Sequence, residues 1–363
     1  MPTRSQRHIG QLVVAGFAGV TLPVELRAIA REFDLGGVIL FARNVEAPLQ
    51  VAEVAYEVKQ LSAVPPWVSV DQEGGRVQRL RAPFTEWPPL ASLGRCGDSK
   101  LAERFARALA RELRTVGITM DYAPVLDVLT NAANPVIGDR ALSEDPAEVA
   151  RLGAVLIGAL QAEGVAACGK HFPGHGDTSR DSHQELPVVE HDPDRLRAVE
   201  LLPFRAAIEA RAAAIMTAHV RYSALDEAAP ATLSRTVIGD LLRDELGYDG
   251  LVVTDDLAMG AIAEHQAAVP AAVEAVRAGC DLVLLCEPDP LTQVAVIEGL
   301  IHAVEDGSLP EQRVAEALGR QQRTRERFLQ GDDQWRPPAQ ARLNDVVGCT
   351  EHQDIGGLMR EFL

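Results

Sequence analysis

Short apolar runs recur along the chain, separated by longer stretches in which apolar residues return every three or four positions. The runs are Leu12–Phe17, Gly37–Phe41, Trp67–Asp71, Ile118–Tyr122, Val165–Gly169, Ala213–Thr217, Leu251–Asp255 and Asp281–Cys286. Each is too short for a helix of ordinary length, so each reads as a strand buried on both faces. The stretches Pro48–Leu61, Leu101–Val116, Pro146–Glu163, Pro193–Ala210 and Ser234–Leu246 read as amphipathic helices. Asp145-Pro146 and Asp192-Pro193 are helix starts: the aspartate caps free N–H groups, and proline fits the first turn. Strands alternating with helices predict an α/β fold, a single (β/α)8 barrel of one domain over the whole chain. The barrel would fill about residues 10–330, with 331–363, including Trp335 and Pro337-Pro338, as a closing segment. An open doubly wound sheet is the alternative, but no GxGxxG follows a strand and no GxxxxGK[ST] occurs.

The barrel reading bears on chemistry at once, because such barrels carry their active sites at the C-terminal ends of the strands. Asp71, Asp121, Lys170 with His171, His219 and Asp255 each end or closely follow a predicted strand. The densest segment runs from Lys170 to His183, with three His, two Asp and one Lys in fourteen residues. Its Gly, Pro and small polar residues exclude a continuous helix and predict a loop after the strand that ends at Gly169.

Composition narrows the partners. The chain has 363 residues, of which 47% are hydrophobic, and a formal net charge of −17 from 35 basic and 52 acidic residues. A polyanion is repelled by nucleic acid and by anionic membrane surfaces, so neither is expected as a partner. No apolar stretch is long enough to span a bilayer. Arg4, Arg7 and His8 before the run Leu12–Val20 could pass for an export signal, but glycines interrupt the run, and a first core strand is the better reading. The five cysteines are scattered without a CxxC and read as reduced core thiols of a cytoplasmic protein.

Among single residues, Asp255 is the most informative. A carboxylate closing the apolar run Leu251–Thr254 is costly unless paired or used, and Asp256 beside it raises that cost. One of the two suits a helix cap. Asp181 and His183 stand two positions apart, so an extended backbone turns them to one side and lets the carboxylate orient the imidazole for proton transfer. Asp71, followed by Gln-Glu-Gly-Gly-Arg-Val-Gln-Arg79, suits hydrogen bonds to ligand hydroxyls, with Arg79 and the loop cation Arg140 as clamps or as structural salt bridges.

Asp71–Arg79, Asn134–Arg140, Lys170–His183 and Thr254–Met259 stand in the order found in glycoside hydrolase family 3, which the chain resembles from Gly10 to about Arg327. Within that family the likeness is to bacterial β-N-acetylglucosaminidases of peptidoglycan recycling; Ala258 stands where serine is common. The resemblance implies retaining hydrolysis of terminal β-linked N-acetylglucosamine through a covalent glycosyl–enzyme intermediate. Asp255 would be the nucleophile, and His183, paired with Asp181, the acid and base. Retaining enzymes commonly use two carboxylates instead. Asp71, Arg79, Arg140, Lys170 and His171 would bind the sugar. The implied substrate is N-acetylglucosamine linked to 1,6-anhydro-N-acetylmuramic acid, with or without peptide. A cytoplasmic monomer without metal or other cofactor is expected.

Three other readings compete. His171, His175, Asp177 and His183 could ligate a metal in a barrel hydrolase, although His171-Phe-Pro-Gly-His175 is no helical HxxxH. Phosphate could replace water, making the chain an N-acetylglucosamine phosphorylase. A sugar-binding barrel without catalysis is the third, and it leaves a nucleophile at Asp255 unexplained.

Overall fold

The computed structural model describes residues 8–182, 185–329 and 336–363. Its strands are β1 (Val13–Ala15), β2 (Gly37–Leu40), β3 (Trp67–Val70), β4 (Gln72–Gly74), β5 (Val77–Gln78), β6 (Met120–Asp121), β7 (Ala166–Phe172), β8 (Val188–Val189), β9 (Ala214–Thr217), β10 (Arg221–Tyr222), β11 (Leu251–Asp256) and β12 (Leu282–Leu285). Each of the eight apolar runs supplies one barrel strand. Parallel pairing joins β1, β2, β3, β6, β7, β9, β11 and β12 in that order, and β12 returns to β1 to close the barrel. The run that could pass for an export signal contains β1, with Val14 paired to Leu284 on one side and Gly37 on the other.

Two of the predicted elements differ in the structure. The strand expected to end at Gly169 continues through Phe172, so Lys170 and His171 belong to β7 and not to the loop. Pairing across the barrel decides this, since Lys170 is held to Met216 and Phe172 to Thr217 of β9 despite the glycine and proline that follow. The stretch Pro193–Ala210 is broken into helices Pro193–Ala198 and Leu202–Glu209, because Pro203 lacks an N–H and is accommodated only in a first turn. The predicted caps hold: Asp145 accepts from Ala147 N–H, and Asp192 from the N–H groups of Asp194 and Arg195. Ser234–Leu246 contains the helix Thr236–Glu245, wound as a π-helix that buries Val237, Ile238, Leu241 and Leu242.

Strand alternation sorts side chains into two cores. Trp67, Met120, Tyr122, Ala166, Cys168, Met216, Leu251 and Val253 pack inside the barrel. Val68, Val70, Ala167, Ile215 and Val252, one position out of phase, pack outward against the helices. Helix Glu311–Phe328 crosses the opposite end and contributes Phe328 to the interior cluster. Helices Gln340–Val346 and Thr350–Arg360 pack on helix Ser99–Thr115, while Trp335 of the same segment lies outside the described residues. Buried Glu112 ties that junction, accepting from Thr85 N (3.1 Å) and Oγ1 (2.6 Å), Gly348 N (2.9 Å) and His352 Nδ1 (2.9 Å). All five cysteines are free; Cys168 and Cys280 are buried, whereas Cys96, Cys286 and Cys349 are only partly so. No helix among the described residues is long and apolar enough to cross a membrane.

Candidate active site

Alternation carries polar groups to the top of the barrel. On β11, Leu251 and Val253 point inward, and Asp255, beyond a shift in the register with β12, lines the cavity at the end of the strand. Strand parity takes Ala166 and Cys168 to Lys170 on β7, and Trp67 to Asp71 just beyond β3. These three charged side chains and Met216 line one cavity of about 270 Å3, together with Arg76, Arg79, Arg140, His171, His175, Asp181 and Ser182. Of the residues singled out in the sequence, Asp71, Arg79, Arg140, Lys170, His171, Asp181 and Asp255 thus share a single site. His183 lies outside the described residues.

His171 follows Lys170 directly, and a regular strand would turn it away. The register with β9 shifts between Lys170 and Phe172, and such a bulge allows consecutive side chains to reach the same side. His171 is then fixed from behind: Asp127 Oδ2 lies 2.8 Å from its Nδ1, and Asp127 Oδ1 accepts the N–H groups of His171 (3.1 Å) and His175 (2.7 Å). Asn134 donates to the carbonyl of His175 at 2.8 Å and to Thr178 Oγ1 at 3.2 Å.

Arg79 and Asp71 are set by the hairpin of β4 and β5. The Gln72 side chain accepts from Arg79 N (2.8 Å) and Leu80 N (3.0 Å) and donates to the Leu80 carbonyl (2.8 Å), which pins the hairpin's return strand. Gly74 has φ +107, and a Cβ there would collide with the Pro88 carbonyl. Arg79 Nη2 lies 3.3 Å from Asp71 Oδ2, with its guanidinium 5.2 Å from the Phe41 ring centroid.

Lys170 Nζ lies 2.8 Å from Asp71 Oδ1 and 2.6 Å from Glu73 Oε1, and Glu73 also takes a two-pronged contact from Arg140 at 2.8 and 2.9 Å. Burial opposes the charge on Glu73, but Arg140 and Lys170 outweigh it and hold the carboxyl well below the usual range. Arg140 is therefore no free loop cation: it is buried and paired.

The two adjacent aspartates divide their tasks. Burial pushes Asp255 up, yet His171, His219, the Asp256 N–H and Lys170 together hold its carboxyl below the ordinary value. Asp256 is the structural member. Its Oδ1 accepts from Cys286 N (3.0 Å) and Ala258 N (3.2 Å), and burial raises its carboxyl to about 6. Asp121 and His219 are not among the residues that line the cavity. Asp121 accepts from Gln72 N at 2.9 Å, and His219 is buried between Thr232 Oγ1 (2.7 Å) and the Asp256 carbonyl (2.9 Å).

Of the metal-ligand set, the described members His171, His175 and Asp177 do not converge on one point. His175 has Nδ1 2.8 Å from Thr178 Oγ1 and Nε2 2.9 Å from Ser182 Oγ, while Asp177 contacts His191 at 2.6 Å and Thr130 at 2.6 Å. Among the described residues no group of three or more His, Cys, Asp or Glu is placed to hold a metal.

Two carboxylates escaped the sequence reading. Glu73 stands inside the quoted motif, but nothing local separates its role from that of Asp71 two positions earlier. Asp127, flanked by Leu126 and Val128, carries the same cost signal as Asp255 and could have been found by it.

Known proteins share this chain's sequence and fold. Residues 5–324 match the Glycosyl hydrolase family 3 N terminal domain. A beta-hexosaminidase of Thiobacillus denitrificans is 44% identical over 258 residues, covering 69% of this chain and 71% of that protein. The structure of a family 3 beta-N-acetylglucosaminidase from Paenibacillus sp. superposes with a TM-score of 0.94 at 42% identity, over 99% of this chain and 69% of the other. NagZ from Neisseria gonorrhoeae, in complex with N-trifluoroacetyl-D-glucosamine, gives 0.78 at 32% identity over 97% of both chains.

Proposed function

The chain belongs to glycosyl hydrolase family 3, and on that premise we propose that this β-hexosaminidase is a retaining exo-β-N-acetylglucosaminidase acting on peptidoglycan fragments. The observation that carries the reading is Asp255. It is an inward-facing carboxylate kept ionised at the top of β11, opposite a cavity wall of Asp71, Arg79, Arg140, Lys170 and His171. An anion beneath the anomeric carbon stabilises developing oxocarbenium charge, and the polar wall matches a ring bearing several hydroxyls.

In this mechanism an Asp255 oxygen attacks the anomeric carbon as the bond to the leaving oxygen breaks. His183, oriented by Asp181, gives that oxygen its proton. Water then attacks the same carbon, passes a proton to His183 and releases Asp255 with the β configuration retained. The fragment N-acetylglucosamine–1,6-anhydro-N-acetylmuramic acid, with or without peptide, is the proposed substrate. A monomer working in the cytoplasm without a cofactor is the proposed setting.

The test is nitrophenol release from 4-nitrophenyl N-acetyl-β-glucosaminide beside the matching glucoside, run in phosphate buffer. Preference for the N-acetyl substrate with free N-acetylglucosamine as product is expected. A sugar 1-phosphate would convert the reading to phosphorolysis, and silence on both substrates would end it.

A further inference from the structure

Five charges around the cavity alternate in sign: Arg140, Glu73, Lys170, Asp71 and Arg79. Four of them line the cavity, whereas Glu73 lies behind, 1% exposed, at the point where Arg140 and Lys170 meet. We propose that Glu73 is a positioning residue for sugar binding. Holding both cations on one carboxylate, it aims their remaining N–H donors at the substrate. This rests on reading the cavity as a sugar site.

Counting donors shows why one carboxylate decides the geometry. A lysine ammonium has three N–H donors, and Lys170 gives one to Asp71 Oδ1 (2.8 Å) and one to Glu73 Oε1 (2.6 Å). With two directions taken, the third is fixed. A guanidinium has five donors in a rigid fork. Arg140 uses Nε on Glu73 Oε2 (2.9 Å), Nη2 on Oε1 (2.8 Å) and Nη1 on the Val136 carbonyl (3.2 Å). A fork held at Nε and Nη2 cannot turn about its own axis, so the direction of its remaining donors is set as well.

The two cations come from separate elements, Lys170 from β7 and Arg140 from the turn Gly138–Arg140. Like charges placed side by side repel, and Glu73 Oε1, which accepts from both, is the common point that keeps them together. Asp71 cannot substitute, because it touches Lys170 and Arg79 and itself faces the cavity. Glu73 sits in β4, whose hairpin is locked by Gln72, so the carboxylate is presented from a rigid support.

Glu73→Asp, Glu73→Gln, Lys170→Met and the double variant Glu73→Gln with Lys170→Met, all in the full chain, test this. The readouts are the melting temperature, kcat and KM on 4-nitrophenyl N-acetyl-β-glucosaminide, and the Kd of N-acetylglucosamine by calorimetry. Aspartate keeps the charge but withdraws the carboxylate by one methylene. Glu73→Asp is expected to melt within a few degrees of wild type yet raise KM and Kd at least about tenfold, with a smaller change in kcat. The double variant is expected to bind more weakly than Lys170→Met alone, because Arg140 also loses its anchor, but by less than the product of the two single losses, since residues acting as one unit do not add. Wild-type KM and Kd in Glu73→Asp would mean that Glu73 only balances charge, and multiplying losses in the double variant would mean that it acts apart from Lys170. Either outcome overturns the proposal. Should Glu73→Gln not fold, Glu73→Asp decides alone. A wild-type chain that binds the sugar without releasing nitrophenol sinks the hydrolase reading but leaves the Kd series to judge Glu73; one that neither binds nor cuts overturns both.

Discussion

Asp255 and Asp256 are the same residue type on neighbouring positions of one strand, yet their carboxyls move in opposite directions. Both are disfavoured as anions by burial. The difference is what surrounds them: Asp255 has His171, His219 and Lys170 nearby, whereas Asp256 has only two backbone N–H donors and the repulsion of Asp255 and Glu287. Replacing Asp255 by glycine should cut turnover on every substrate by at least about a thousandfold while the melting curve stays close to wild type. Residual activity within tenfold of wild type would remove it as nucleophile. His175 offers a test of stability instead. Burial, with His171 adding to it, pushes its imidazole down to about 4. The unfolded chain takes up this proton near pH 6.5 and the folded one not until about 4, so stability should fall as pH drops through that window and level off below it. The contribution is roughly 3 kcal/mol. Asp256, raised to about 6, works in the opposite sense over part of the range, so the comparison is between wild type and His175→Gln. Thermal melts from pH 7.5 to 4 should show a shallower acid loss in the variant, and parallel curves would exclude this role.

At the scale of elements, the bulge in β7 and the β4–β5 hairpin do most to shape the cavity. The bulge gives Lys170 and His171 to one side of the barrel; the hairpin brings Glu73 and Arg79 over the top of β3. The hairpin's order depends on the buried Gln72 side chain, which satisfies two N–H groups and one carbonyl. Gln72→Ala leaves those groups unpaired, at about 1–3 kcal/mol for a buried group that loses its partner. It should lower the melting temperature by a few degrees and raise KM, because Arg79 loses its anchored backbone. An unchanged KM beside a lowered melting temperature would show that the hairpin does not set Arg79. The hairpin was invisible to the strand pattern, since Gln72–Gly74 and Val77–Gln78 are too short and too polar to register as apolar runs. Legible by contrast were the eight barrel strands, the caps at Asp145 and Asp192, and the place of Asp255 at the close of an apolar strand. Each of these is set within a few residues of backbone.

Over the whole molecule, segments far apart in the chain meet at a few buried polar junctions. Glu112 is one, joining helix Ser99–Thr115, the loop at Thr85 and the C-terminal helix through His352. Glu112→Gln places an amide NH2 among four donors and should destabilise the fold by roughly 3 kcal/mol or more. Hydrogen exchange in Thr350–Arg360 should rise with it, while KM, set at the far ends of β3, β7 and β11, should stay. Protection unchanged in that helix would mean that apolar packing alone holds it.

From its sequence alone this chain has a determined class of fold, the places of its eight barrel strands and a group of polar residues at or just after their ends. Those follow from burial and from the length of each apolar run, which are properties of short segments. The motifs also carried the family. Only the tertiary structure decided which strand ends share a cavity, that Lys170 and His171 reach it together, and that Glu73 and Asp127 stand behind it. Glu73 meets Arg140 67 positions later in the chain, and Asp127 meets His171 44 positions later. Such meetings depend on how eight strands stagger when the barrel closes, and that quantity belongs to no single segment.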